Sequence, residues 1–159
     1  MKKIILAILV LLMGIQFIPV SRKNSQVPVA ISASAEVKNI LKKSCYDCHS
    51  EVTIWPWYAY VAPVSWFVAR HVNHGRRHLN FSGFEKKSEK QKRHAFKEMD
   101  KEIRKNKMPL KSYLVLHREA RLNKTEKDIL LNWINSQKFR AQGEEEEHEH
   151  EHSHREEKH

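Results

Sequence analysis

The stretch Cys45-Tyr46-Asp47-Cys48-His49 restricts this chain more than any other, and it reads C-x-x-C-H. Its cysteines are the chain's only two. The spacing is the attachment signature of a c-type haem. Each thiol can add to one haem vinyl group, a short turn between them matches the vinyl separation, and the next residue places an imidazole under the iron. Two cysteines and a histidine would fall this way by chance in roughly one chain in a thousand. A structural zinc site wants a second ligand pair at fixed spacing, and none follows nearby. A thioredoxin-like dithiol wants a βαβ setting, and strand periodicity is almost absent here. The motif therefore implies a small fold wrapped around one covalent haem, with Cys45 and Cys48 as attachment residues and His49 as proximal ligand.

The N-terminus adds a second constraint. Met1-Lys2-Lys3 is followed by the apolar run of residues 4–20, broken only by Gln16. As helix this run would rise about 25 Å, borderline for a bilayer core. It reads as a signal peptide or, preferred, an uncleaved membrane anchor over residues 1–20. Lys2 and Lys3 predict the N-terminus in the cytoplasm and the domain outside. Residues 21–34 mix polar residues and proline without a period and read as a linker.

From residue 35 the patterning is helical. Ser34 is placed to cap a helix from Ala35 to about Ser44, with Val37, Ile40, Leu41 and then both cysteines on its apolar face. Four aromatics around Pro56, in residues 54–63, do not suit a regular helix; they suit the flat face of a porphyrin, or ordinary core packing. Pro63 opens a helix through Val64, Phe67, Val68, His71 and Val72 to Gly75. Ser88 to Gln91 forms a capping box for a helix burying Ala95, Phe96, Met99 and Ile103. After a loop at Lys107-Met108-Pro109-Leu110, Asn123 caps a last helix burying Ile129, Leu130, Trp133 and Ile134. The fold class is all-α, with a haem-binding domain over residues 35–140.

Charge is unevenly spread. Lys and Arg number 29 against 19 Asp and Glu, but the tail from Gly143 holds eight Glu. Without that tail, residues 1–142 carry 27 basic and 11 acidic side chains. Such a body can meet acidic proteins or anionic lipid, and no nucleic-acid motif accompanies it. The tail over residues 141–159 reads as disordered, and His148, His150, His152 and His154 alternate in it with Glu, a composition able to hold divalent metal weakly.

The segments CYDCHS, WPWYAYVAPVSW, HLNFS and KMPLKSYLVLH together resemble the bacterial haem-binding domain family of small c-type cytochrome-like proteins, over roughly residues 35–138. The resemblance implies a membrane-attached, monohaem protein with a cytochrome c-like helical fold, loaded with haem on the periplasmic face of the cytoplasmic membrane. Phe84 stands where related sequences suggest tryptophan, and the tail lies outside the shared pattern.

The sixth iron ligand decides the chemistry. Met108, in a loop and followed by proline, is the first candidate, as in many cytochromes c. Met/His ligation gives a closed, electron-transferring iron. His71 and His78 lead the competing histidines, ahead of His74, His94 and His117. An open sixth site would instead permit a haem sensor or peroxidase-like activity. A third reading, a metal-binding accessory protein, would act through the His-rich tail. No catalytic acid, base or nucleophile constellation stands out, so the expected role is an electron carrier with redox partner proteins, not an enzyme.

Overall fold

The computed structural model describes residues 1–29 and 31–156, with side chains described to Arg140. Among the described residues the fold is all-helical. Its helices are α1 (Lys2–Ile15), α2 (Ala35–Ser44), α3 (Tyr46–His49), α4 (Val64–His78), α5 (Glu89–Arg104), α6 (Lys111–Leu114) and α7 (Lys124–Glu156). Short 3₁₀ turns cover Trp57–Tyr60, Phe84–Lys86 and Arg118–Ala120. A lone bridge pairs Val29 with Ser82.

The chain divides into two compact units, Met1–Val29 with Tyr46–Ser82 and Ala30–Cys45 with Gly83–His159. The division cuts the 35–140 stretch expected as one domain, between Cys45 and Tyr46.

In the first unit, α1 starts at Lys2, ahead of the apolar run of residues 4–20, and stops short of that run's end. It ends at Ile15, and the side chain of its C-cap, Gln16, accepts from Ala62 N–H at 2.9 Å and donates to Ala62 O at 3.1 Å. Fourteen residues rise only about 21 Å. No helix among the described residues is long and apolar enough to cross a membrane. Residues 21–29 are not a slack linker either. Arg22 donates to Ala59 O, Asn24 to Thr53 O, and Lys23 O accepts from Arg76.

Helix α4 begins after Pro63, as expected, but runs on through Gly75 to His78. Its inward face is Ser65, Ala69 and Val72, while Val64 and Phe67 are exposed. The expected face was drawn through the largest apolar residues. Val72 is buried as expected, but the rest of the packed face is the small residues Ser65 and Ala69.

The second unit holds the larger core. Ser34 caps α2 by accepting from Val37 N–H, and Val37, Ile40 and Leu41 are buried. The capping box at Ser88 and Gln91 is complete, and Phe96, Met99 and Ile103 are buried behind it. Asn123 and Glu126 cap α7 reciprocally at 2.8 and 3.0 Å. Leu130, Leu131 and Ile134 face inward, with Trp133 half-buried. Phe84, Phe96 and Trp133 form an edge-to-face run with centroid spacings of 5.4 and 5.3 Å. Helix α7 continues to Glu156, through residues assigned from composition to a disordered tail. Glutamate is among the better helix formers, so a Glu-rich segment can propagate a helix already nucleated at Lys124.

Candidate functional site

Cys45 closes α2 as its C-cap, and the four residues after it form α3, ending on His49. The first unit holds α3 in place from its own backbone outwards. Ser50 Oγ donates to Tyr46 O at 2.7 Å and Thr53 Oγ1 to Asp47 O at 2.7 Å. Asp47 Oδ1 accepts from Ile54 N–H at 3.1 Å. Phe81 is fully buried; its N–H donates to His49 O at 2.7 Å and its ring meets that of Tyr46 at 5.5 Å.

The imidazole is fixed as firmly as the backbone. His49 Nδ1 lies 3.1 Å from Gly75 O and 2.9 Å from Leu79 O. Carbonyls only accept, so Nδ1 carries the proton and Nε2 carries the lone pair. Burial holds the imidazole below its usual pKa, against the pull of the two carbonyls, and the charges of His78 and His74 push the same way as burial. At neutral pH the ring is therefore neutral, with a ligand lone pair on Nε2. This is the protonation pattern of a metal-ligating histidine whose other nitrogen is held by a carbonyl.

Close approach makes that geometry possible. A Cβ on Gly75 would lie 2.5 Å from Cys48 O, so only glycine lets α4 pass this near to α3. A glycine inside a helical pattern is the available sequence signal for such a contact. Arg76, next in the chain, is harder to foresee. Its Nε donates to Ser50 O at 2.8 Å, Nη1 to Lys23 O at 2.7 Å, and Nη2 to Asn24 Oδ1 and Thr53 Oγ1 at 2.8 and 2.7 Å. Glu51 completes the set at 3.1 Å, and its other oxygen accepts from Asn80 at 2.8 Å. The HLNFS segment thus supplies the Leu79 carbonyl, the Asn80 amide and the Phe81 N–H around His49.

Both cysteines are half-buried, and neither is in a disulfide. Burial, helped by the charge of Asp47 and opposed by Arg76, pushes the Cys48 thiol up to about 11. A resting thiol is unlike the low-pKa nucleophile of a redox dithiol. No group of three or more His, Cys, Asp or Glu side chains placed to hold a metal ion occurs among the described residues.

The other sequence candidates are divided between the two units. Met108 lies half-buried in the loop between α5 and α6. His71 hydrogen-bonds Phe67 O at 2.9 Å, and His74 and His78 pair on the exposed face of α4 at 4.4 Å between rings. His117 stacks on Tyr113 at 4.3 Å. His94 lines a groove of about 490 Å³ between α5 and α7, together with Lys90, Arg93, Lys97 and Lys138. The tail histidines 148, 150, 152 and 154 lie outside the residues whose side chains are described.

A sequence family described as Haem-binding domain matches residues 10–136. The chain belongs to the haem-binding domain family. No curated protein and no solved structure matches it. As a haem-binding domain, its fit to the group rests on the donor set just described: a neutral histidine with Nε2 available, on the residue directly after Cys48.

Proposed function

We propose that this haem-binding domain is a monohaem c-type cytochrome, anchored to the cytoplasmic membrane through its apolar N-terminal segment and passing single electrons on the periplasmic side. The observation that carries the reading is the double carbonyl hold on His49 Nδ1, which presets Nε2 as an iron ligand on the residue directly after Cys48. Cys45 and Cys48 hold one haem through thioethers, His49 is its proximal ligand and Met108 its distal one. When bound, the iron supplies a one-electron Fe(III)/Fe(II) change, whose chemistry is the cofactor's own.

The chain contributes the rest. His49 cannot turn, because two carbonyls and the Phe81 N–H grip its ring and backbone. The first unit also presents Trp57, Tyr60, Val64 and Phe67, 45–79% exposed, as apolar surface suited to covering a porphyrin. The basic groove between α5 and α7 fits an acidic redox partner.

Absorption spectra of wild type and Met108→Ala test the assignment. The oxidised wild type should be low-spin and show the weak long-wavelength band of Met–iron(III) coordination, which Met108→Ala should abolish. A low-spin spectrum unchanged in the variant transfers the ligand to His71 or His78. A high-spin wild type means an open site, and absence of covalent haem sinks the reading.

A further inference from the structure

Helix α4 carries a second surface, on the side away from its packed face. Helical spacing sets Arg70, His74, Arg77 and His78 on one stripe, opposite the buried Ser65, Ala69 and Val72. All four side chains of the stripe are exposed. Among the described residues, neither Arg70 nor Arg77 makes a hydrogen bond or an ion pair. Desolvation, then the charges of His78, Arg77, His71 and Arg70, hold the His74 imidazole below its usual pKa. Every one of those charges is positive. A helix face of unneutralised cations is a surface for an anionic partner.

The stripe adjoins the ligand histidine. Gly75, between His74 and His78, gives one of the two carbonyls that accept from His49 Nδ1, and Leu79, directly after His78, gives the other. After burial and those carbonyls, the charges of His78 and His74 are the ones that act on His49. A partner held on the stripe therefore meets backbone that is one hydrogen bond from the proximal imidazole. The groove between α5 and α7 differs. It belongs to the other unit, its Lys138 already pairs with Asp100 at 3.3 Å, and its Arg93 is engaged. An acidic partner on the groove gains attachment; one on α4 also gains a bonded route to the iron. A lipid headgroup would satisfy the arginines but has no use for that route.

We infer that Arg70, His74, Arg77 and His78 form the docking face for an acidic one-electron redox protein, which exchanges its electron with the haem from the α4 side. This rests on the electron-carrier reading and deepens it. The guanidinium forks of Arg70 and Arg77 receive the partner's carboxylates. In the oxidative direction one electron leaves Fe(II), giving Fe(III), and the partner's centre is reduced by one.

The test uses the haem-loaded full chain, reduced, in neutral detergent. Hexacyanoferrate(III) is the anionic probe; it takes one electron and becomes hexacyanoferrate(II). At about 0.01 M ionic strength, the pair Arg70→Gln and Arg77→Gln should slow the oxidation about threefold or more. At about 1 M, where the screening length is about 3 Å, variant and wild type should react alike. Removing positive charge near the iron favours Fe(III), so slower oxidation cannot come from driving force. The pair Lys90→Gln and Lys97→Gln removes equal charge from the groove and should change the rate far less. Polyglutamate should inhibit the wild-type reaction at low salt and the arginine variant only weakly. Equal slowing by the two pairs, or none by the arginine pair, overturns the inference while leaving the electron carrier intact. Inhibition by vesicles of anionic lipid but not by polyglutamate assigns the face to a membrane and overturns it too. A wild type lacking covalent haem overturns both readings. If the arginine variant fails to load haem, wild type decides: polyglutamate should protect Arg70 and Arg77 from phenylglyoxal, and absence of protection overturns the inference.

Discussion

At Gly75 one hydrogen atom does the work of a hinge pin. Its missing side chain lets Cys48 O approach, and the same residue's carbonyl receives His49 Nδ1–H. Gly75→Ala would gain about 1 kcal/mol of helix propensity but must force backbone apart, which typically costs 1–3 kcal/mol. The expected net effect is destabilisation, with the His49 bond to Gly75 lengthened. Urea unfolding of the haem-loaded protein followed at the Soret band, alongside haem stoichiometry, measures both. A second residue-scale outcome concerns Glu126. The ammonium of Lys43, then the Asn123 N–H, hold its carboxyl below the usual carboxylate range. A depressed folded value means the unfolded chain binds the proton more readily. That stability is complete above about pH 4.3, the ordinary glutamate value, and is lost as pH falls through the folded one. Wild type should therefore exceed Glu126→Gln in stability at neutral pH, with the gap closing in acid; equal stability at both would count against the ion pair.

Helices α2, α5 and α7 were legible because their caps and apolar spacing agree. Ser34, the Ser88–Gln91 box and Asn123 all cap as their chemistry predicts. Phe96 is the joint of the aromatic run, touching Phe84 and Trp133. Phe96→Ala should cost about 3–5 kcal/mol, read as a lowered denaturation midpoint with unchanged slope. Ser88→Ala should cost about 1 kcal/mol. Helix α4 was legible only in part. Its start at Pro63 follows from proline chemistry and Val72 is buried as its spacing predicts, but Ser65 and Ala69, too small to stand out in an apolar pattern, make up the rest of the packed face. At the candidate site, Cys45, Cys48 and His49 are readable from spacing alone. The partners that fix His49 are backbone carbonyls of Gly75 and Leu79, and carbonyls have no letter in a sequence. Arg76 was equally hidden, since its role depends on five partners from two distant stretches of chain.

For the whole chain, residues 1–142 hold 27 basic against 11 acidic side chains, and the groove between α5 and α7 is lined by Lys90, Arg93, His94, Lys97 and Lys138. Binding to vesicles containing anionic lipid should accordingly weaken steeply between 0.01 and 0.15 M salt, as the screening length contracts from about 30 to about 8 Å. Measured on protein lacking residues 1–20, insensitivity to salt would refute an electrostatic contribution. The attachments of Gln16, Arg22, Lys23 and Asn24 carry a further meaning. A free segment of fourteen residues could pay out to about 45 Å of leash. Stitched down between Gln16 and Asn24, directly after α1, the segment leaves almost no slack. If α1 sits in a bilayer, the first unit rides flush on that surface, and whatever docks on that unit must come to the membrane to meet it.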